Sequence, residues 1–509
     1  MRFATLHRQR PSVPRFRGAR PIAGAALLAA LLSCQPAEKD SPTGLIVLSF
    51  CSIRADHMSC YGYARETTPN LDAFAREAAL FETAVAPWPK TSPSFCSIMT
   101  GTYPHRNGVM WKTAGVRLAD ENVTLAEILR ERGYATAAFV SSGALSGHLN
   151  IQQGFDHFEE TWKQDARRSY PLSVRYDRTA LRALEWLDER EEGPFFLWAH
   201  FNNAHYPYKP PAELAAPFIG DSLYRDTLTV DVAIEGFRDI ELPPGHPNSG
   251  QVLHNDLGTI PKRSALPVAP GSRDYRGDLA HYIAQYDGGI RWADRSAGIL
   301  LDGLRERNLL DDVVVVVVGD HGESLGDHDF YFEHGRFPYE ACARVPLLIR
   351  YPSLIEPGSR PAGPVGTFAT TPTVLEILGV PVPGTVDSRS LLPHLRGGPA
   401  PERVVSESGY EPAFQVSLRE GTWKLIHVPE SRDRSIMRGG EFELYDLARD
   451  PKERKDLCAE RPEIAARLRE RLEEWSAEWG RGTEGAAPGD TVGLDEATRE
   501  NLRAMGYLK

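Results

Sequence analysis

Continuous apolar runs alternate along the chain with segments of helical period. Gly44-Leu-Ile-Val-Leu-Ser-Phe50, Tyr134 to Val140, Pro194-Phe-Phe-Leu-Trp-Ala-His-Phe201 and Val313 to Val318 have the length and unbroken apolarity of buried strands. The six valines that follow Asp312 suit a central strand covered on both faces. Between these runs, Thr68 to Leu80, Thr124 to Arg132 (closed by Gly133), Arg178 to Arg190 and Leu279 to Asn308 read as helices. Strands alternating with helices predict an α/β fold on a sheet with parallel strands. Residues 212–278 break the rhythm with Pro243-Pro-Gly-His-Pro and Leu266-Pro-Val-Ala-Pro-Gly, and read as an insertion that lines a substrate cleft. From about Glu402, short strands and a helix over Glu463 to Trp475 predict a smaller α+β subdomain. The expected organisation is a main domain over 44–400, a subdomain over 401–479, and a flexible Gly-rich tail with a terminal helix over 480–509.

Charge changes the picture at the amino end. The 509 residues carry 69 acidic and 58 basic side chains, a net charge of −11, which argues against a nucleic-acid partner. Residues 1–33 hold six arginines and no acidic residue, and include an apolar run of about a dozen residues. That is the order of a secretory signal, too short to span a bilayer comfortably. Leu31-Leu-Ser-Cys34 resembles a bacterial lipobox, so Cys34 is expected to carry lipid and 34–43 to act as a tether. Gln35 after it fits sorting to the outer membrane, with the protein facing the periplasm. Removing residues 1–33 leaves 52 basic against 69 acidic residues, a charge of −17. Five widely spaced cysteines remain (51, 60, 96, 342 and 458), an odd number that is no disulfide framework.

In open α/β sheets ligands bind beyond the carboxyl ends of the strands, and two strands here end in polar clusters. One gives Cys51-Ser52-Ile-Arg54-Ala-Asp56, the other Gly319-Asp320-His321-Gly322-Glu323. Carboxylate beside imidazole suits a divalent metal such as zinc or manganese. A third cluster, Thr91-Ser-Pro-Ser-Phe-Cys-Ser97, places Thr91 at a helix amino end, where free N–H groups and the helix dipole favour an anion. A Ser or Thr there is more often a simple cap.

Several segments together resemble the sulfatase family of the alkaline phosphatase superfamily: Arg54-Ala-Asp-His-Met-Ser-Cys-Tyr-Gly-Tyr63, Thr68-Pro-Asn-Leu-Asp72, Thr100-Gly-Thr-Tyr-Pro-His-Arg-Asn-Gly-Val109, Gly319-Asp-His-Gly-Glu323, His334-Gly, Arg344-Val-Pro346 and Glu443-Leu-Tyr-Asp-Leu447. The resemblance implies a central mixed sheet flanked by helices, with a small carboxyl-terminal subdomain. In the family signature C/S-x-P-S-R the first residue becomes formylglycine, and here it is Thr91. Oxidising Thr would give a ketone, so no formylglycine is expected. The signature Arg is Phe95, Cys96 lacks the required followers, and Ser141-Ser142 stand where the family has a Lys.

Thr at this position resembles the metal-dependent phosphodiesterases and phospho-group transferases of the superfamily, in which a metal-activated Thr attacks phosphorus. Thr91, Asp320 and His321 match three of their four metal ligands, and the fourth, normally acidic, falls on Cys51. A thiolate there would favour zinc or manganese over calcium. His205 matches the family histidine that contacts the transferred group or leaving oxygen, and His334 falls where relatives have Lys or His; either is a candidate general acid. The expectation is a metal-dependent hydrolase of an anionic sulfuric or phosphoric ester. Two alternatives stand beside it: a catalytically degenerate binding lipoprotein, and a phosphodiesterase or phospho-group transferase acting on envelope components. No feature of the sequence sets an oligomeric state.

Overall fold

A computed structural model describes residues 42–110, 116–165, 177–206, 208–221, 279–329, 331–410, 413–428, 441–479 and 493–505. Cys34 with its leader, the tether up to residue 41, most of the insertion, and Gly480 to Thr491 lie outside the described residues.

The apolar runs form one seven-stranded mixed sheet. In chain order its strands are β1 (Gly44–Phe50), β2 (Ala79–Leu80), β3 (Ala135–Val140), β4 (His157–Glu160), β5 (Phe195–Phe201), β6 (Val313–Gly319) and β7 (Leu347–Arg350). Their spatial order is β2-β7-β6-β1-β5-β3-β4. The five strands from β6 to β4 run parallel, and β7 and β2 add antiparallel pairings at the other edge. The valine strand lies between β7 and β1 with every residue buried. Val313, Val315 and Val317 pack into one apolar layer with Ile290 and Leu300 of the Leu279–Glu306 helix. Val314, Val316 and Val318 pack into the opposite layer with Phe95, Ile98 and Met99. Covering on both faces is why this strand needs no polar alternation.

The helix expected over Thr68 to Leu80 is shorter: it spans Pro69–Ala75, and Ala79–Leu80 is β2, hydrogen-bonded to the edge of the sheet. Tertiary pairing overrides the helical propensity of the alanines there. The Leu125–Arg130 helix has the expected cap in fuller form, a capping box between Thr124 and Glu127. Of the insertion, a one-turn helix, Ala212–Ala215, is described.

Beyond the main sheet, β8 (Val404–Tyr410), β9 (Ala413–Glu420), β10 (Trp423–His427) and β11 (Phe442–Asp446) form an antiparallel sheet in sequential order. The Pro462–Trp479 helix packs on it through Leu468, Leu472 and Trp475, in a core shared with Tyr103 and Phe368 of the main domain. A last helix, Glu496–Ala504, does not pack on that sheet. It lies against the main domain, with Leu502 and Met505 on Ala144. Docking of this kind was not expected from the polar, Gly-rich approach to it.

A candidate metal and ester site at the strand ends

Register brings the polar clusters together. Phe50 is aligned with Gly319 on one side and Phe201 on the other, so β6, β1 and β5 end side by side. Asp320 N–H then donates to the Phe50 carbonyl at 3.1 Å and Cys51 N–H to that of Phe201 at 3.0 Å. Ser52 takes a left-handed backbone (φ 58°), and its N–H donates to Asp320 Oδ1 at 3.1 Å. A non-glycine residue held in this region marks a turn imposed by its surroundings. The Thr91–Thr100 helix aims its first turn at the same place, tied there by Ser94 Oγ donating to the Asp320 carbonyl (2.8 Å) and Ser92 Oγ to that of Ala144 (2.9 Å). Gly322 lets the loop pass: an added Cβ would lie 2.1 Å from the Ala341 carbonyl oxygen.

The result is a compact, fully buried donor cluster. Thr91 Oγ1 is 3.1 Å from His321 Nε2 and 3.3 Å from Cys51 Sγ, and Cys51 Sγ is 3.8 Å from His321 Nε2. Asp320 Oδ2 is 3.3 Å from His321 Nε2 and has no hydrogen-bond partner. Cys51, Asp320 and His321 each offer one ligand atom, all within 4.8 Å of one another.

The tautomer of His321 decides what this cluster asks for. Its Nδ1 is 2.8 Å from the Gly322 carbonyl, which can only accept, so Nδ1 carries the proton and Nε2 presents a lone pair. That lone pair faces Asp320 Oδ2 and the Thr91 hydroxyl, an arrangement that a proton on the carboxyl, or a cation bound between the donors, would satisfy. Burial, then His334, pushes His321 well below the usual imidazole range, so the ring does not supply that charge itself. Burial also lifts Asp320 to about 7 and raises the Cys51 thiol, the latter helped by Asp320. Without a cation the donors are driven to neutrality, whereas a divalent cation would let carboxylate and thiolate form. The donor set of S, N and O atoms fits such an ion.

Both candidate acids are at the site. The His334 ring stacks on His321 with centroids 4.0 Å apart, and His205 meets His334 edge-on at 5.4 Å. His334 Nδ1 faces Glu323 Oε1 at 3.3 Å and His205 Nδ1 donates to the Tyr206 carbonyl at 2.7 Å, which turns each Nε2 into the working nitrogen. The His205 loop reaches this position because Gly289 of the Leu279–Glu306 helix lets the Asn203 carbonyl approach to 2.9 Å of where a Cβ would be.

All six expected residues, Cys51, Thr91, His205, Asp320, His321 and His334, are therefore brought together. Three further residues were missed by sequence reasoning. Glu323 orients His334, and its signal was present in the Asp-His-Gly-Glu run. Lys90 stands at the N-cap position of the Thr91 helix, is buried, runs its side chain past Gly335 and bears electrostatically on His321, which brings a basic side chain near the site although the signature Arg and Lys are gone. Asn203 has both amide atoms buried without a partner at the end of β5.

Residues 45–380 match the family model for sulfatases. The chain belongs to the sulfatase family. Residues 326–478 match a second model, described as the carboxyl-terminal part of N-sulphoglucosamine sulphohydrolase. Among curated relatives, an N-acetylglucosamine-6-O-sulfatase of Bacteroides thetaiotaomicron is 27% identical over 79% of this chain and 80% of its own. A choline-sulfatase of Rhizobium meliloti is 27% identical over 77% of this chain and 78% of its own. Among solved structures, one holding its substrate D-glucosamine-2-N,6-O-disulfate superposes with a TM-score of 0.67 at 22% identity, covering 88% of this chain and all of that one. A phosphonate monoester hydrolase of Agrobacterium radiobacter gives 0.65 at 22%, covering 86% and 96%. The fold is thus that of the alkaline phosphatase superfamily, and the sulfatase-family protein is an ester hydrolase by descent.

Proposed function

We propose that this sulfatase-family protein hydrolyses sulfuric or phosphoric esters with Thr91 as nucleophile, in place of formylglycine. The carrying observation is the pair of facing acceptors, Asp320 Oδ2 and His321 Nε2, set within reach of Thr91 Oγ1. Asp320, His321 and Cys51, with Thr91, would hold one divalent ion, zinc first and manganese second. Calcium, which takes six to eight oxygens, suits this sulfur-containing set poorly. When bound, such an ion supplies Lewis acidity and lowers the pKa of a coordinated hydroxyl.

The chain's own groups do the rest. Thr91 sits in the first turn of a ten-residue helix, whose dipole stabilises its alkoxide and the incoming oxyanion. Nε2 of His334 or His205 takes the Thr91 hydroxyl proton as Oγ1 forms its bond to phosphorus or sulfur and the bond to the leaving oxygen breaks, and the resulting imidazolium returns that proton to the leaving oxygen. Water then releases the group from Thr91. Threonyl phosphate is open to hydrolysis at phosphorus, while turnover of a sulfated residue in formylglycine sulfatases relies on their hemiacetal, so phosphoryl esters suit this nucleophile better. Export with lipid on Cys34 is part of the same proposal, supported by the order of basic, apolar and Cys-containing segments.

Metal analysis of the purified chain should find about one zinc or manganese ion, and Thr91→Ala should lower turnover of nitrophenyl phosphate, phosphodiester or sulfate substrates by at least about a thousandfold while keeping the metal. Undiminished turnover in Thr91→Ala would remove Thr91 as the nucleophile, and a wild-type chain with neither metal nor turnover would leave the degenerate binding lipoprotein as the better reading.

A further inference from the structure

Helix Glu496–Ala504 is separated in sequence from the catalytic clusters by more of the chain than any other described element, yet it and the residue after it touch segments that follow β3 and β5. Asn501 Oδ1 accepts the Gly143 N–H at 2.9 Å, a contact so close that a Cβ on Gly143 would sit 2.7 Å from that oxygen. Met505 Sδ lies 3.2 Å from Asn202 Nδ2 and 3.7 Å from Ser142 Oγ. Asn202 follows β5 and Ser142 follows β3, so both are strand-end residues on the side where the donors gather. Leu502 and Met505 are buried against Ala144, and the Ala144 carbonyl is what accepts Ser92 Oγ, one residue from Thr91. An unbroken line of contacts therefore runs from Asn501 and Met505 through Ser142–Ala144 to the first turn of the Thr91 helix.

We propose that this helix is a positioning element of the catalytic centre, clamping the Ser142–Ala144 loop so that Ser92 holds the Thr91 turn in its reactive place. The proposal rests on Thr91 acting as nucleophile. A loop with three small residues, Ser142, Gly143 and Ala144, has little side-chain packing of its own to fix it, and the helix supplies both the apolar cover and the acceptor for Gly143. Misplacing a nucleophile by a fraction of its reaction distance costs turnover more than binding.

The test uses the full chain. Asn501→Ala and Met505→Ala should lower kcat on a nitrophenyl phosphate or sulfate ester at least about tenfold with KM within about threefold, whereas Met505→Leu, which conserves volume, should restore turnover to near wild type. Arg499→Ala, on the exposed side of the same helix, serves as the neutral control. Hydrogen exchange measures the clamp without relying on activity: amides from Trp88 to Ile98 and from Ser142 to Leu145 should exchange about tenfold faster in both alanine variants, with the rest of the sheet unchanged. Wild-type turnover with wild-type exchange at Thr91 in both variants overturns the proposal. So does a loss of turnover accompanied by uniformly faster exchange and a lowered Tm. Faster exchange at the Thr91 turn in a protein whose wild type hydrolyses no ester would support the clamp and reject the hydrolase reading.

Discussion

Cys51 is the residue on which the chemistry turns. It stands where the superfamily pattern has a carboxylate, and its thiol is buried 3.3 Å from the Thr91 hydroxyl. A thiolate is a soft ligand, so with Cys51 among its ligands the proposed site would favour zinc over harder ions. Cys51→Asp should move preference toward manganese or magnesium, seen as a reversal in the order of metal affinities by competition titration; an unchanged order would remove Cys51 from the ligand set. Phe95 illustrates the opposite kind of departure. At the signature Arg position it packs at 5.5 Å on Trp198 and edge-on at 5.2 Å to His200, and burial pushes His200 down to about 3. The place of the missing guanidinium is thus filled by neutral aromatic core. Cys51, Asp320 and His321 were legible in the sequence because each follows an apolar run that had to end at the same edge of the sheet, and Thr91 because Pro93 marks it as the amino end of a helix. Lys90 was not singled out, because nothing local distinguishes a buried charge from a solvated one; Glu323 stood in the Asp-His-Gly-Glu run, but its pairing with His334 is made only by the fold.

Elements show the same division. The positions of β1, β3, β5 and β6 were readable to within a residue or so because two-sided burial demands continuous apolar runs, whereas the short edge-side strands β4 and β7 were not singled out and β2 was hidden in a segment with good helix formers. The Glu496–Ala504 helix was readable as a helix, capped by Asp495, whose Oδ1 accepts the Thr498 N–H at 2.7 Å. Where it docks was not readable. Burial alone would raise the Asp495 carboxyl, but the hydrogen bonds from Lys163 (2.8 Å) and Thr498 outweigh it and hold the group at about 2. A carboxylate whose pKa falls on folding contributes its stabilisation above its ordinary value and loses it as pH falls toward the folded value. Docking should therefore weaken between about pH 4 and pH 2. Pepsin cleavage within Leu494 to Met505 should be faster in Asp495→Asn than in wild type at pH 4, and the two rates should converge by pH 2. Equal rates at pH 4 would show that the cap and the Lys163 pair do not hold the helix.

At the scale of the molecule, the second sheet is joined to the main domain by buried charge as well as apolar core. Lys424 of β10 lies 3.0 Å from Glu340 and 2.8 Å from Glu453, and Arg419 adds a bond to Glu340 at 2.6 Å. Burial disfavours the Lys424 ammonium, and the two carboxylates outweigh that and hold it charged. Lys424→Met should destabilise the protein by about 3–5 kcal/mol in denaturant unfolding, because it leaves a buried carboxylate without its cation. Adding Glu453→Gln should recover most of the loss; a neutral Lys424→Met would show that the cluster is solvated. The sequence by itself determined the α/β sheet and the strand-end position of the donors, since those follow from local apolar runs. Only the tertiary structure decided that His334 stacks on His321, that Lys90 is buried beside them, and that Met505 reaches Asn202 and Ser142. Those contacts join residues far apart in sequence, and they depend on strand order and helix docking, which no local period encodes.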